Sequence, residues 1–203
     1  MLKKLNPFVR YAAASLALLA LTGTGAAQAH DHDHAAMLAA ELKRSMVEVE
    51  VPTIKMVRQD GVATTALKEL SGGRPTVLAF IYTSCTTVCP LTSHILSQLQ
   101  TRLGADLNKV RLVSVSIDPE YDTPARLKAY SQRFEASPQW QYYTGSLANS
   151  VAVQKAFKAY QGDKMNHLPL IFVSGGKTKS WVRLEGFPTA DQVLTELNAQ
   201  SGS

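Results

Sequence analysis

Cysteine is scarce in this chain, with only Cys85 and Cys89 among 203 residues. That excludes a disulfide-stapled scaffold, because one bridge closed over three residues takes little entropy from the unfolded chain. No cysteine stands near Ala27-Gln28-Ala29, which argues against a lipid-attached N-terminus. The leading apolar run, Ala12 to Leu21, falls short of the roughly 20 residues that a comfortable membrane span needs. Repeats and low-complexity linkers are also missing, so nothing divides the chain into an array of domains.

A strong charge imbalance is lacking as well. Residues 1–29 read as a secretory leader: Lys3, Lys4 and Arg10 are followed by the apolar run and the small-residue cleavage sequence ending at Ala29. An uncleaved anchor is the competing reading of this segment. Cleavage leaves 174 residues with eighteen Lys and Arg against sixteen Asp and Glu, a net charge of +2. Nothing in that balance asks for nucleic acid. The expected location is the periplasm, with no stable membrane span after cleavage.

Residues 30–45 open with His30-Asp-His-Asp-His34 and continue as an Ala-rich arm, and residues 46–203 form one domain. Alternation over 47–57 predicts a strand, with Asp60-Gly61 folding it back as a hairpin. The continuous run Thr76–Tyr82 predicts a central strand buried on both faces. Helical spacing follows over 90–103, stopped by Gly104, and 110–117 reads as a second buried strand. Thr123-Pro124 caps a helix to about Phe134. A short strand at 140–143, a helix over 151–160, a hairpin of 170–173 with 181–184 around Gly175-Gly176, and a helix over 191–199 complete the order. Strands alternating with helices imply an α/β sandwich, a central mixed sheet flanked by helices, of thioredoxin-like type.

Cys85 and Cys89 fall where a strand hands over to a helix, the sheet edge at which open α/β folds bind ligands. If the first turn is helical, residues four apart share a face with Cβ atoms about 5–6 Å apart. That spacing suits one metal ion held by two thiolates, and also a disulfide. A helix N-terminus lowers thiol pKa, so redox exchange and metal binding remain equally open, with Cys85 the expected attacking thiol. Two thiolates favour a soft ion, cuprous copper or zinc, and neither is well served by two ligands. Of the five His, His94 lies further along the cysteine helix and off the motif's face. His167 precedes the 170–173 strand, in a loop that the fold packs beside the cysteines, with Pro169 in the place of a thioredoxin's cis-proline. It is the best third ligand.

The stretches Val57-Arg-Gln-Asp-Gly61, Ala79-Phe-Ile-Tyr-Thr-Ser-Cys-Thr-Thr-Val-Cys-Pro90, Ser114-Val-Ser-Ile-Asp-Pro-Glu-Tyr-Asp-Thr-Pro124 and Asn166-His167 together resemble the Sco/SenC family of thioredoxin-like copper chaperones. The resemblance implies copper as the bound metal, with Cys85, Cys89 and His167 as its ligands. It also implies delivery of copper to, or reduction of, the copper site of cytochrome c oxidase or a related acceptor. The partners would be the apo copper-site protein or its assembly factors, and a thiol reductant. Departures are Thr86, where many members have Pro, Asn166 in place of Asp, and Leu168-Pro169; they shift weight toward thiol–disulfide oxidoreductase chemistry without copper delivery. A peroxidatic reading of Thr86–Pro90 needs a nearby Arg that sequence does not place.

Three further features have two readings each. Asp118 ends the neighbouring strand and serves either as a turn former or as a group orienting the site or contacting a partner. Met165 offers a thioether to copper or packs in the core. Cleavage after Ala29 would expose a free amine with His30 first and His32 third, a nitrogen set for cupric ion and so a secondary metal site; a polar spacer is the alternative.

Overall fold

The computed structural model describes residues 41–202. The leader over 1–29 and the His30 and His32 site lie outside the described residues, as does the arm up to residue 40. One eight-stranded mixed sheet organises the rest. Its strands are β1 (Lys43–Glu48), β2 (Lys55–Arg58), β3 (Ala63–Thr65), β4 (Thr76–Ile81), β5 (Arg111–Ser116), β6 (Trp140–Thr144), β7 (Leu170–Ser174) and β8 (Ser180–Glu185). They lie in the order β1-β8-β7-β4-β5-β6-β2-β3. β4, β5 and β6 run parallel, and all other neighbours are antiparallel.

Every residue of β4 is 1% exposed or less, as its unbroken apolar run predicts for a strand covered on both faces. The helices are α1 (Ala66–Leu70), α2 (Val88–Leu103), α3 (Pro124–Arg133), α4 (Leu147–Ala156) and α5 (Ala190–Ser201). α2, α3 and α5 cover one face: α2 packs on α5, α3 packs on β6, and Ser93 of α2 hydrogen-bonds Tyr130 of α3 at 3.0 Å. Phe157, which ends α4, fills the other face. It meets Phe80, Phe172 and Trp181 edge-on at 5.0–6.0 Å between ring centroids. Such pairs add about 0.5–1.5 kcal/mol each beyond the area they bury.

Local chemistry sets most helix starts. The Thr123 hydroxyl accepts from the Arg126 N–H with Pro124 beside it, Ser146 caps α4, and Thr189 with Gln192 forms a full capping box on α5. The helix expected over 151–160 therefore begins earlier, at Leu147, and ends where Lys158 turns to positive φ. Gly104 ends α2 as expected, after which the chain makes a 3-10 turn to Lys109. Gly176 adopts φ +81° in the β7–β8 turn, where an added Cβ would strike the Arg74 backbone.

The strand expected over 47–57 is corrected to two. β1 begins at Lys43 and pairs with β8 at one edge of the sheet, whereas β2 pairs with β6 and β3 near the other. The alternation that suggested one strand runs through both, but Pro52 lacks a ladder donor, and residues 49–54 carry the chain between edges. The Asp60-Gly61 hairpin forms as read, between β2 and β3. No helix among the described residues is long and apolar enough to cross a membrane.

Candidate functional site

β4 ends at Ile81, and a turn in which the Cys85 N–H donates to the Tyr82 carbonyl at 3.2 Å brings Cys85 back to the mouth of α2. The helical first turn expected to carry both cysteines is corrected: α2 starts at Val88, so Cys85 precedes the helix and Cys89 lies inside it. Thr87 stands at the N-cap without a capping side-chain bond. The Cys85 sulfur takes over that task, accepting the Cys89 N–H at 3.3 Å. Among the four unpaired donors of a helix N-terminus, a sulfur acceptor is best served as an anion.

The two thiols consequently divide. Cys85 is lowered to about 4, first by a hydrogen bond from the Cys89 thiol and then by the N–H groups of Cys89 and Thr87 and the Tyr82 hydroxyl, which together outweigh its partial burial. Cys89 is driven strongly upward, first because its proton is held in that bond to Cys85 and then by burial. It is fully buried, while Cys85 keeps 9% of its surface exposed. Its sulfur accepts the Tyr82 N–H at 3.4 Å. The pair holds one negative charge, on the outer sulfur, as expected of an attacking thiolate above a protonated resolving thiol.

His167 arrives from the loop between α4 and β7, directly after a 3-10 turn at Lys164–Asn166. Its Nε2 lies 3.0 Å from the Phe80 carbonyl oxygen. A carbonyl only accepts, so Nε2 carries the proton and Nδ1 has the free lone pair. Burial lowers the ring's pKa, keeping it neutral, which is the form that ligates a metal. The ring stands edge-on to Tyr82 at 6.5 Å between centroids, and the Tyr82 carbonyl in turn accepts the Cys85 N–H. The structure thus brings Cys85 and Cys89 together and seats His167 against Tyr82 and the Phe80 carbonyl. Among the described residues, no three His, Cys, Asp or Glu side chains gather closely enough to hold one metal ion. Pro169 follows through a trans peptide bond, correcting the cis-proline analogy.

The His167 loop is pinned at several points. Lys164 Nζ meets the Asp118 carboxylate at 2.5 Å, and Asp163 Oδ1 accepts the Met165 N–H at 2.9 Å. Asp118 also acts as the turn former it was read as, its carbonyl accepting the Tyr121 and Asp122 N–H groups of the turn after β5. A cleft of about 190 Å³ lies beside the loop, lined by Ile117, Leu147, Val151, Lys164 and His167. His94 is exposed and paired with Gln98, away from the sulfurs, as its spacing predicts.

Sequence reading missed Asp122. It is fully buried and accepts from the Thr83 N–H, the Thr83 hydroxyl and the Ser116 hydroxyl. Desolvation raises its pKa, and the hydrogen bonds partly oppose that rise. The bonds tie the residues before Cys85 to the end of β5. An Asp just ahead of a Thr-Pro helix start was the available signal, but it reads equally as an exposed turn residue. Asp122→Ala leaves those buried donors unpaired and is expected to cost about 3 kcal/mol. Denaturant unfolding of the reduced protein measures it, and a loss below about 1 kcal/mol would contradict the account.

The sequence of this site decides its kinship. The SCO1/SenC family model matches residues 50–199, which include both cysteines, Asp118, Asp122 and His167. The chain belongs to the SCO1/SenC family. A SCO1 protein homolog of Bacillus subtilis (strain 168) is 35% identical over 164 residues, covering 75% of this chain and 83% of the relative. Bradyrhizobium japonicum ScoI, solved with copper bound, superimposes with TM-score 0.62 at 28% identity, over 74% of this chain and 98% of that one. BsSco, described as having a disulfide switch and as a member of the Sco family of cytochrome c oxidase assembly proteins, superimposes with TM-score 0.64 at 28% identity, over 78% of this chain and 96% of that one. The mixed sheet with its flanking helices matches these thioredoxin-like Sco structures.

Proposed function

We propose that this protein is an exported, periplasmic copper-binding assembly factor. It carries copper as cargo to a respiratory copper site such as that of cytochrome c oxidase, and it couples that task to thiol–disulfide exchange. The observation that carries the reading is an anionic sulfur and a buried protonated one in a single turn, with, in a neighbouring loop, a neutral imidazole whose Nε2 is committed to the Phe80 carbonyl and whose Nδ1 lone pair is free. Two sulfurs and one nitrogen form a soft donor set that suits cuprous copper. Closing that set requires the His167 ring to leave the Phe80 carbonyl and turn toward the sulfurs.

Binding would release the Cys89 proton as its sulfur becomes a ligand, which makes affinity depend on pH. In the redox step, the Cys85 thiolate attacks a partner disulfide and expels one partner sulfur as thiolate. Cys89 then loses its proton, attacks Cys85 and frees the second partner sulfur. The partner gains two electrons and this chain ends as a disulfide, to be reset by a thiol reductant. The copper-bound state of Bradyrhizobium japonicum ScoI and the disulfide switch of BsSco support the two halves of this cycle.

Export rests on the leader-like residues 1–29, and the His30-Asp31-His32 start adds a secondary site for cupric ion. A thiol–disulfide oxidoreductase acting without copper is the second reading. It is favoured by the division of the two thiols into attacker and resolver and by the separation of His167 from them. Cuprous titration against a competing chelator distinguishes the two. One copper per reduced protein is expected, with at least a hundredfold weaker retention in both Cys85→Ala and Cys89→Ala. Retention unchanged in either variant would leave only the second reading.

A further inference from the structure

The reading of Met165 as a core residue fails: it is 73% exposed, more than any other large hydrophobic side chain among the described residues. That exposure is imposed by its surroundings. The Met165 N–H is held by Asp163, the Lys164 side chain before it by Asp118, and the His167 ring two residues on by the Phe80 carbonyl. The loop therefore presents a thioether outward from a backbone tied down on both sides. The thioether is also aimed. Its sulfur accepts from the Tyr82 hydroxyl at 3.9 Å, and the backbone of the same tyrosine accepts the Cys85 N–H at 3.2 Å and donates to the Cys89 sulfur at 3.4 Å. A single tyrosine thus links an exposed, uncharged soft donor to the turn that holds the anionic one.

Thioether sulfur selects cuprous over harder ions, binds weakly, needs no deprotonation, and sits on three rotatable bonds. A donor of that kind suits an ion in transit better than one at rest. We infer that Met165 is the entry and exit ligand for cuprous ion at this site, receiving it from solvent or a donor and passing it across Tyr82 to Cys85. This rests on the copper-carrying function proposed above. The transfer is a ligand exchange without electron transfer: the copper–thioether bond breaks as the copper–Cys85 thiolate bond forms. The Cys89 proton leaves to solvent when that sulfur joins. Delivery reverses the order, with Met165 holding the ion as the thiolates release it.

The test uses Met165→Leu, which keeps the size and apolar character of the side chain and removes the sulfur. Reduced, copper-loaded protein is mixed with a cuprous chelator, and the transfer rate is followed by stopped flow. Transfer is expected to slow at least fivefold, with one copper per protein still bound at the start. In parallel, protein carrying 13C-methyl methionine is titrated with cuprous ion. The Met165 methyl is expected to shift, while that of Met46, itself 48% exposed but far along the chain in β1, serves as the control and stays in place. One copper bound, with an unchanged Met165→Leu rate and an unmoved Met165 methyl, overturns the role of Met165 and leaves the proposed function standing. Equal shifts at Met46 and Met165 overturn it too, as unselective thioether binding. Failure of the unsubstituted protein to take up any copper overturns the proposed function and this inference together.

Discussion

Reduced protein is expected to keep one thiolate down to about pH 4, seen as ultraviolet thiolate absorbance that falls away only below that value and is abolished by Cys85→Ser. The cause is the arrangement around Cys85, which accepts hydrogen bonds from the Cys89 thiol, from N–H groups at the start of α2 and from Tyr82. An ordinary cysteine, titrating near 8.5, gains about 500-fold in thiolate between pH 5.5 and 8.5, whereas Cys85 is already ionised throughout. Its alkylation rate should therefore stay nearly flat across that range. Its absolute rate gains less, because nucleophilicity falls with pKa. A thiolate transition centred above pH 7 would contradict the assignment.

The same group makes stability depend on pH with a definite sign. The folded-state value of about 4 lies below the unfolded one near 8.5. Between them the unfolded chain binds more protons, so the reduced protein gains stability as pH rises toward 8.5 and loses it as pH falls toward 4. His167 acts in the same direction, because burial lowers its pKa and the ring gains its proton more readily once the chain unfolds. Cys85→Ser should flatten most of this slope in chemical denaturation run at several pH values. Oxidation to the disulfide should do the same, since it removes the titrating thiol.

His167→Ala is expected to weaken cuprous binding by at least about 100-fold while leaving the Cys85 thiolate transition where it was. Loss of a mere outer-shell partner costs about 10–100-fold in metal affinity, so loss of a direct ligand must cost more. The thiolate is spared because its stabilising bonds come from Cys89, Thr87 and Tyr82, and none comes from the imidazole. Competition titration with a cuprous chelator reads the first half, and ultraviolet titration of the thiol reads the second. Unchanged affinity in His167→Ala would mean that the two sulfurs hold copper with some other donor, and the three-ligand set would fall. A displaced thiolate transition would instead mean that the substitution had disturbed the turn before α2. His167→Gln, which can still donate to the Phe80 carbonyl, should keep the loop seated and yet fail to restore copper affinity.

Much of this was legible in the sequence, and the physical reasons differ from element to element. The unbroken apolar run of β4 can only be satisfied between two layers, so it announced a central strand. Thr123-Pro124 and Gly104 announced their helix ends because capping is a local matter of backbone donors and φ. The cysteine spacing announced a two-sulfur site because four residues across a strand–helix junction cannot separate the sulfurs far. The strand over 47–57 was misread because period-two alternation reports which face a residue points to and carries no information about which strand it pairs with.

What the chain determined alone was therefore local: the buried run, the caps, and two thiols held side by side with a histidine available further on. Tertiary structure decided which thiol carries the charge, because the acceptor role of Cys85 depends on how Tyr82 and the start of α2 close around it. It also decided that Asp122 is buried under the turn before the cysteines, that His167 rests on the Phe80 carbonyl beside Tyr82, and that Met165 faces outward. These last three depend on contacts between segments tens of residues apart, whose distances no spacing along the chain encodes.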